Sequence, residues 1–186
     1  LISAGKLGFM PTFEELENPN NRFASEVYFA DGPIMNRYFE KENRKYIEYR
    51  EIPQSVIDAL IATEDVRFYE HEGVDKISML RVFFKTVLLG HRSSGGGSTL
   101  SQQLAKNLYP RDEQQVTFIP VVKLKEMFTA HRLENIYSKD DILTLYLNTV
   151  SFGENTFGIE SAAQKYFSTS ASDLTIPQAA TLIGML

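Results

Sequence analysis

From Pro53 onward the apolar positions recur at helical spacing. Val56, Ile57, Leu60 and Ile61 fall at i, i+1, i+4 and i+5, one face of a helix that Pro53 is suited to open. The pattern predicts a second helix over about 76–89, with Ile77, Leu80, Phe84, Val87 and Leu88 as its apolar stripe beside Phe83 and Leu89. A third is capped by Ser98 or Thr99 and runs to about Leu108, and a long one follows from about Val121 to Tyr137. Ser138 opens another with capping spacing, carrying Ile142, Leu145, Tyr146 and Leu147, and two more lie around 159–166 and 176–185. Gly95-Gly96-Gly97 must be a loop, because three glycines lose too much backbone entropy inside a helix. Upstream the period changes. Ser25–Ala30 and Ile34–Phe39 flank Asp31-Gly32 and read as a β-hairpin, Tyr46–Tyr49 as a third strand, and Thr12–Glu15 as the capped start of a short helix. The expected architecture is a mainly α body behind a small N-terminal β element.

Composition narrows this little, but charge does more. The 186 residues carry a formal charge of -5 and no cysteine, which excludes a disulfide framework, a thiolate metal site and a cysteine nucleophile. No apolar run approaches the roughly 20 residues that span a bilayer. Leu1-Ile2-Ser3-Ala4 is expected to be the trimmed end of a longer apolar segment, so the chain is read as a fragment. Between Lys76 and Arg132 stand nine basic and three acidic residues, a local +6 that leaves -11 for the remainder. Such a basic middle suits an anionic substrate or an anionic membrane; no nucleic-acid motif accompanies it. Solvated helix faces are the plain alternative.

Three segments hold candidate chemistry. Glu64 and Asp65 end the apolar helix, with Phe68, His71 and Gly73 close behind. A carboxylate held against apolar and aromatic walls has its charged form disfavoured, which is what a general base needs; a solvated pair bracing the turn is the alternative. Ser98-Thr99 joins the glycine loop to a helix carrying Gln102, Gln103, Lys106 and Asn107, with Gln102 and Lys106 four apart on one face. Lys123, Lys125 and Glu126 then put two cations and a carboxylate within one turn, with a simple, weak Lys123–Glu126 intrahelical pair as the plain alternative. The three histidines lack metalloprotease spacing, and Gly97-Ser98-Thr99 lacks both the serine-hydrolase elbow and the Gly-Lys-Ser/Thr ending of a phosphate loop.

Taken together, these segments resemble the signatures of the peptidoglycan glycosyltransferases, the transglycosylase domains of class A penicillin-binding proteins and their monofunctional relatives. Glu64–Gly73 looks like Glu-Asp-x-x-Phe-x-x-His-x-Gly, and Gly96–Asn107 is similar to Gly-Gly-Ser-Thr-x-x-Gln-Gln-x-x-Lys-Asn. Lys123–Glu126 fits Arg-Lys-x-x-Glu with Val122 where arginine is usual, and Tyr137–Asn148 with Phe152-Gly153 resembles a fourth motif. Gly158–Ala163 and Leu174–Leu186 resemble the closing stretch, so the likeness runs from about Ser25 to the end.

The resemblance implies a lysozyme-like, two-lobed helical fold: an N-terminal juxtamembrane segment over 1–24, the β element over 25–51, and a C-terminally truncated glycosyltransferase domain over 52–186. It implies polymerisation of lipid II into β-1,4-linked glycan with release of undecaprenyl diphosphate and inversion. Glu64 is then the general base and Glu126 a second catalytic carboxylate. Asp65, Phe68, His71, Ser98, Thr99, Gln102, Gln103, Lys106, Asn107, Lys123, Lys125 and Asn148 are substrate-binding candidates. Without the usual arginine, Lys125 or Arg111 would help grip the diphosphate. Mg2+ or Mn2+ could assist there, with Glu126 the candidate ligand; the family implies no other cofactor. By loose analogy with inverting glycosidases, Glu64 and Glu126 should stand more than about 6 Å apart. The 76–89 helix would face the outer leaflet of the bacterial cytoplasmic membrane, with Lys76, Arg81, Lys85 and Arg92 at its headgroups. A transmembrane anchor and a transpeptidase domain are expected elsewhere in the parent protein. A lysozyme-like glycan hydrolase and an inactive cell-wall scaffold remain the alternatives.

Overall fold

A computed structural model describes residues 11–17, 25–28, 34–38, 45–89, 97–109 and 119–186. Eight helices and one hairpin lie among them: α1 Phe13–Glu17, β1 Ser25–Tyr28, β2 Ile34–Tyr38, α2 Gln54–Glu64, α3 Lys76–Leu89, α4 Leu100–Leu108, α5 Ile119–Ile136, α6 Lys139–Thr149, α7 Ile159–Phe167 and α8 Ile176–Ile183. The class is mainly α, as the periodicity predicts. β1 and β2 pair antiparallel with Ser25 opposite Tyr38 and a register shift at Val27/Tyr28. The Asp31-Gly32 turn, Leu1–Ala4, Gly95, Gly96, Arg92 and Arg111 lie outside the described residues, as do the side chains of Phe83, Lys85, Val87, Leu88 and Leu89.

The chain forms two compact units, Leu1–Pro19 with Leu60–Leu143, and Asn20–Ala59 with Thr144–Leu186. In the first, Leu16, Leu60, Phe68, Leu100, Leu104, Ala130, Leu133, Ile142 and Leu143 are fully buried. Thr12 caps α1 in the predicted box, its N–H and hydroxyl reaching the Glu15 carboxylate at 2.8 and 3.1 Å. The hydroxyls of Tyr109 and Tyr137 donate to Glu15 and Leu16 carbonyls at 2.7 and 2.8 Å, tying α1 to the ends of α4 and α5. Burial first, then the neighbouring Tyr137 and Glu15, push the Tyr109 hydroxyl up to about 12.

In the second unit Val56, Ile57, Tyr146, Leu147, Phe152, Ile159, Ala162, Leu182 and Ile183 make the core. Tyr46–Tyr49 is not a third strand: it is irregular and leads into one turn of 3-10 helix, Tyr49–Glu51. The reason is a side chain. Asn148 accepts from the Ile47 N–H and donates to the Ile47 carbonyl, both at 2.9 Å, and so takes the backbone groups a partner strand would have used. Buried Glu160 accepts from Ala171 N–H at 2.7 Å and from the Ser170 hydroxyl and Lys45 ammonium at 3.1 Å. Burial pushes its carboxyl up, but those three donors outweigh it and hold it below its ordinary value.

Candidate active site

The group of interest lies wholly in the first unit, where α2 ends at Glu64. The chain leaves the helix through a turn and one 3-10 turn, Phe68–Glu70, whose Phe68 ring is fully buried. Two tethers fasten this segment to the start of α4, where the first backbone N–H groups have no helical acceptor of their own. Asp65 Oδ2 accepts the Leu100 N–H at 3.0 Å and meets His71 Nε2 at 3.0 Å. The Thr99 hydroxyl donates to the Gly73 carbonyl at 2.6 Å while accepting the Gln102 N–H at 3.2 Å. Gly73 is required on two grounds: its φ is +85°, and a Cβ there would stand 2.7 Å from the Ala130 carbonyl carbon on α5.

These tethers bring polar side chains of α4 to the end of α2. Gln103 Nε2 donates to Glu64 Oε2 at 2.9 Å. Glu64 is half-buried, and among the described residues its Oε1 has no hydrogen-bond partner. Five residues earlier, the Ser98 hydroxyl accepts from Lys123 Nζ at 2.8 Å, and the same ammonium meets Glu126 Oε2 at 2.9 Å. With Lys123 43% exposed, that pair contributes under about 1 kcal/mol to stability; its consequence is orientation. Among the described residues two of the three ammonium hydrogens are engaged. Lys106 is exposed and Lys125 half-buried, and neither has an ionic partner among the described residues. One short stretch, 98–103, thus holds a carboxylate at one end and a cation at the other.

The other expected contacts separate into two kinds. Asp65, Phe68, Thr99 and Gln102 are buried, and His71, with a side chain 7% exposed, is nearly so. Asp65, His71 and Thr99 tie segments together, and Phe68 lies 4.4 Å under Lys139 Nζ. Gln102 does not share the open side of α4 with Lys106, because the Leu100–Leu104 stripe carries it into the core; Gln103 is half-buried there instead. Asn107 and Val122 are half-buried, and among the described residues neither makes a polar contact to the group. Asn148 belongs to the second unit, where its amide clamps Ile47. Sequence reasoning overlooked Glu134 and Lys139: Lys139 Nζ bonds the His71 carbonyl at 2.7 Å and Glu134 at 2.7 Å, and Ser101 donates to Glu134 at 2.5 Å. A spacing of five residues is not a helical pairing signal, so nothing in the sequence marks them.

A groove of about 710 Å³ is lined by Arg67, His71, Val74, Ile77, Leu124 and Phe128 among others. Glu64, Gln103, Lys123 and Glu126 are not in its lining. No group of three or more His, Asp or Glu residues among the described ones is arranged to hold a metal ion, and Glu126 is already engaged by Lys123. On α3, Ile77 is 63% and Leu80 56% exposed, and Phe84 is exposed beside them. No helix among the described residues is long and apolar enough to cross a membrane.

The sequence is similar to those of known proteins. The family model described as Transglycosylase matches residues 31–186. Penicillin-binding protein 1A of Escherichia coli is 37% identical over 176 residues, 95% of this chain and 20% of that protein. Penicillin-binding protein 1A of Haemophilus influenzae is 36% identical over 184 residues, 99% of this chain and 20% of the relative. Penicillin-binding protein 2a of Streptococcus pneumoniae is 47% identical over 141 residues, 76% of this chain and 18% of the relative. The chain thus spans about one fifth of the length of the curated relatives it matches. Since the family match takes in every residue of the Glu64, Gln103 and Lys123 group, this chain belongs to the transglycosylase family.

Proposed function

We propose that this site is a peptidoglycan glycosyltransferase that polymerises lipid II, with Glu64 taking the proton from the acceptor 4-hydroxyl. The observation that carries the reading is the Glu64 carboxylate: Oε2 is tethered and Oε1 has no partner among the described residues, on the same stretch that fixes Lys123. A sugar hydroxyl is too weak an acid to attack unaided, and a positioned base contributes about 10²–10⁴-fold. The attacked anomeric carbon carries a diphosphate that accumulates charge as it departs. Preoriented cations stabilise that charge, and Lys123 together with Lys106 and Lys125, which have no ionic partner among the described residues, suit the task. Glu126 then serves by aiming Lys123. Direct displacement by the hydroxyl inverts the anomeric centre.

The exposed Ile77, Leu80 and Phe84, with Lys76 and Arg81 on the same helix, support contact with the outer face of the cytoplasmic membrane, where the lipid tail of the substrate remains. Because the chain covers about a fifth of relatives named penicillin-binding proteins, we extend the reading to a parent protein that also carries a penicillin-reactive transpeptidase domain.

The test is incubation of the chain with labelled lipid II in detergent, with Glu64→Gln alongside. Polymer from the wild type and at least about 10²-fold less from the variant is the expected result. Equal polymerisation by Glu64→Gln would remove the base assignment. Fragmentation of preformed glycan would point instead to a hydrolase, and inactivity towards both substrates to a scaffold.

A further inference from the structure

Resting on the reading of Glu64 as the base, we infer that Gln103 is its positioning residue, acting on the carboxylate and not on the substrate. The amide reaches Glu64 Oε2 at 2.9 Å, so one oxygen is held while the other, without a partner among the described residues, can receive a proton. A carboxylate at a helix end rotates about three side-chain bonds, and each rotamer aims Oε1 elsewhere; one fixed oxygen removes most of that freedom. The donor's own placement is determined. Asp65, the residue after Glu64, receives the Leu100 N–H, and Gly73 receives the Thr99 hydroxyl, so α4 is pinned on both sides of the segment leaving α2. Gln103 stands one turn beyond those pins, on a helix that Thr99 caps.

The residue type matters as much as the place. An ammonium at this position would also hold the carboxylate, but its charge would favour the ionised form strongly and make the base a poorer proton acceptor. A second carboxylate would repel it. A neutral amide is the side chain that orients a base at small cost to its basicity. That also separates its task from that of Lys106 on the next turn, whose exposed ammonium suits the diphosphate.

Steady-state polymerisation by the 186-residue chain, with Gln103→Met and Gln103→Glu, tests this. Methionine preserves length and helix propensity without a donor. Gln103→Met should lower kcat about 10- to 100-fold while KM moves less than about threefold, with an unchanged melting temperature. Gln103→Glu should be less active still at neutral pH and recover part of its rate as the pH falls and the carboxylate pair retains one proton, which makes the new side chain a donor again. A structural role would show no such pH-dependent recovery. If Gln103→Met keeps kcat and raises KM tenfold, the side chain is a substrate contact and this inference is wrong; wild-type kinetics in both variants would also overturn it. Glu64→Gln separates the two levels: a dead Glu64→Gln beside a fully active Gln103→Met removes only Gln103's role, whereas an active Glu64→Gln removes the base itself.

Discussion

Two lysine–glutamate pairs, one in each unit, are nearly alike by geometry. Lys45 meets Glu160 at 3.1 Å with the side chains 40% and 3% exposed, and Lys123 meets Glu126 at 2.9 Å with 43% and 9%. What surrounds them differs. Glu160 also receives a backbone N–H and a serine hydroxyl, so its oxygens are committed to holding the start of the 171–173 turn. The Lys123 ammonium instead reaches Ser98, five residues before the amide that holds Glu64. The first pair fixes backbone; the second fixes a charge on the same stretch that holds Glu64. Ion-pair geometry alone would not have told them apart.

The largest effect expected from breaking that comparison is kinetic. Lys123→Met should reduce polymerisation by about 10²-fold or more through lost stabilisation of the leaving diphosphate. Both Lys123→Met and Lys45→Met should cost less than about 1 kcal/mol of stability, because each lysine is largely hydrated. Lys45→Met should leave turnover near the wild-type value. Product gels and thermal melts on the two variants check this; equal turnover would mean that the Lys123 pair is as architectural as the other.

Gly73→Ala comes next. A Cβ there meets the α5 backbone at 2.7 Å, and the positive φ adds strain, so a loss of about 2–4 kcal/mol is expected. Denaturant melts measure it. Turnover should fall as well, since the Thr99 tether ends on the Gly73 carbonyl. Glu160→Gln follows at about 2 kcal/mol: the amide cannot satisfy the ammonium and two further donors as the carboxylate does. Unlike Glu64→Gln, it should spare the chemistry.

Most helices could be read from the chain because their signals are local. Thr12, Thr99 and Thr175 cap where their spacing says they should, and apolar periodicity marks α2 through α8. The third strand failed for a reason no local pattern contains: Asn148 lies 101 residues from the Ile47 backbone it satisfies. The site was legible as an ordered set of residue types and less so as contacts. Spacing suggested that Gln102 would face the same way as Lys106, whereas burial of the Leu100–Leu104 stripe puts Gln103 there. Nor does adjacency reveal that Asp65 and Glu64 differ, one committed to Leu100 and His71, the other left half-open. The Glu134–Lys139 contact beneath His71 has no sequence signature at all.

The smallest effect, with a defined sign, sharpens the comparison through a third pair. Asp75 meets Arg67 at 2.5 Å and accepts the Ile77 and Ser78 N–H groups at 3.0 Å, which places it with Glu160 among carboxylates saturated by donors. Burial pushes the Asp75 carboxyl up, but the Ser78 N–H and hydroxyl and the Arg67 guanidinium outweigh it and hold it at about 2, against an ordinary 3.8. The folded state therefore binds this proton more weakly than the unfolded chain. The stabilisation is fully present above about pH 4 and is lost as the pH falls towards about 2, a total of about 2 kcal/mol. Asp75→Asn should lose the Arg67 charge pairing at every pH and flatten that part of the stability curve. Urea melts of both proteins between about pH 5 and 2 test it: parallel curves would mean that Asp75, despite three donors, is not committed to the fold as Glu160 is.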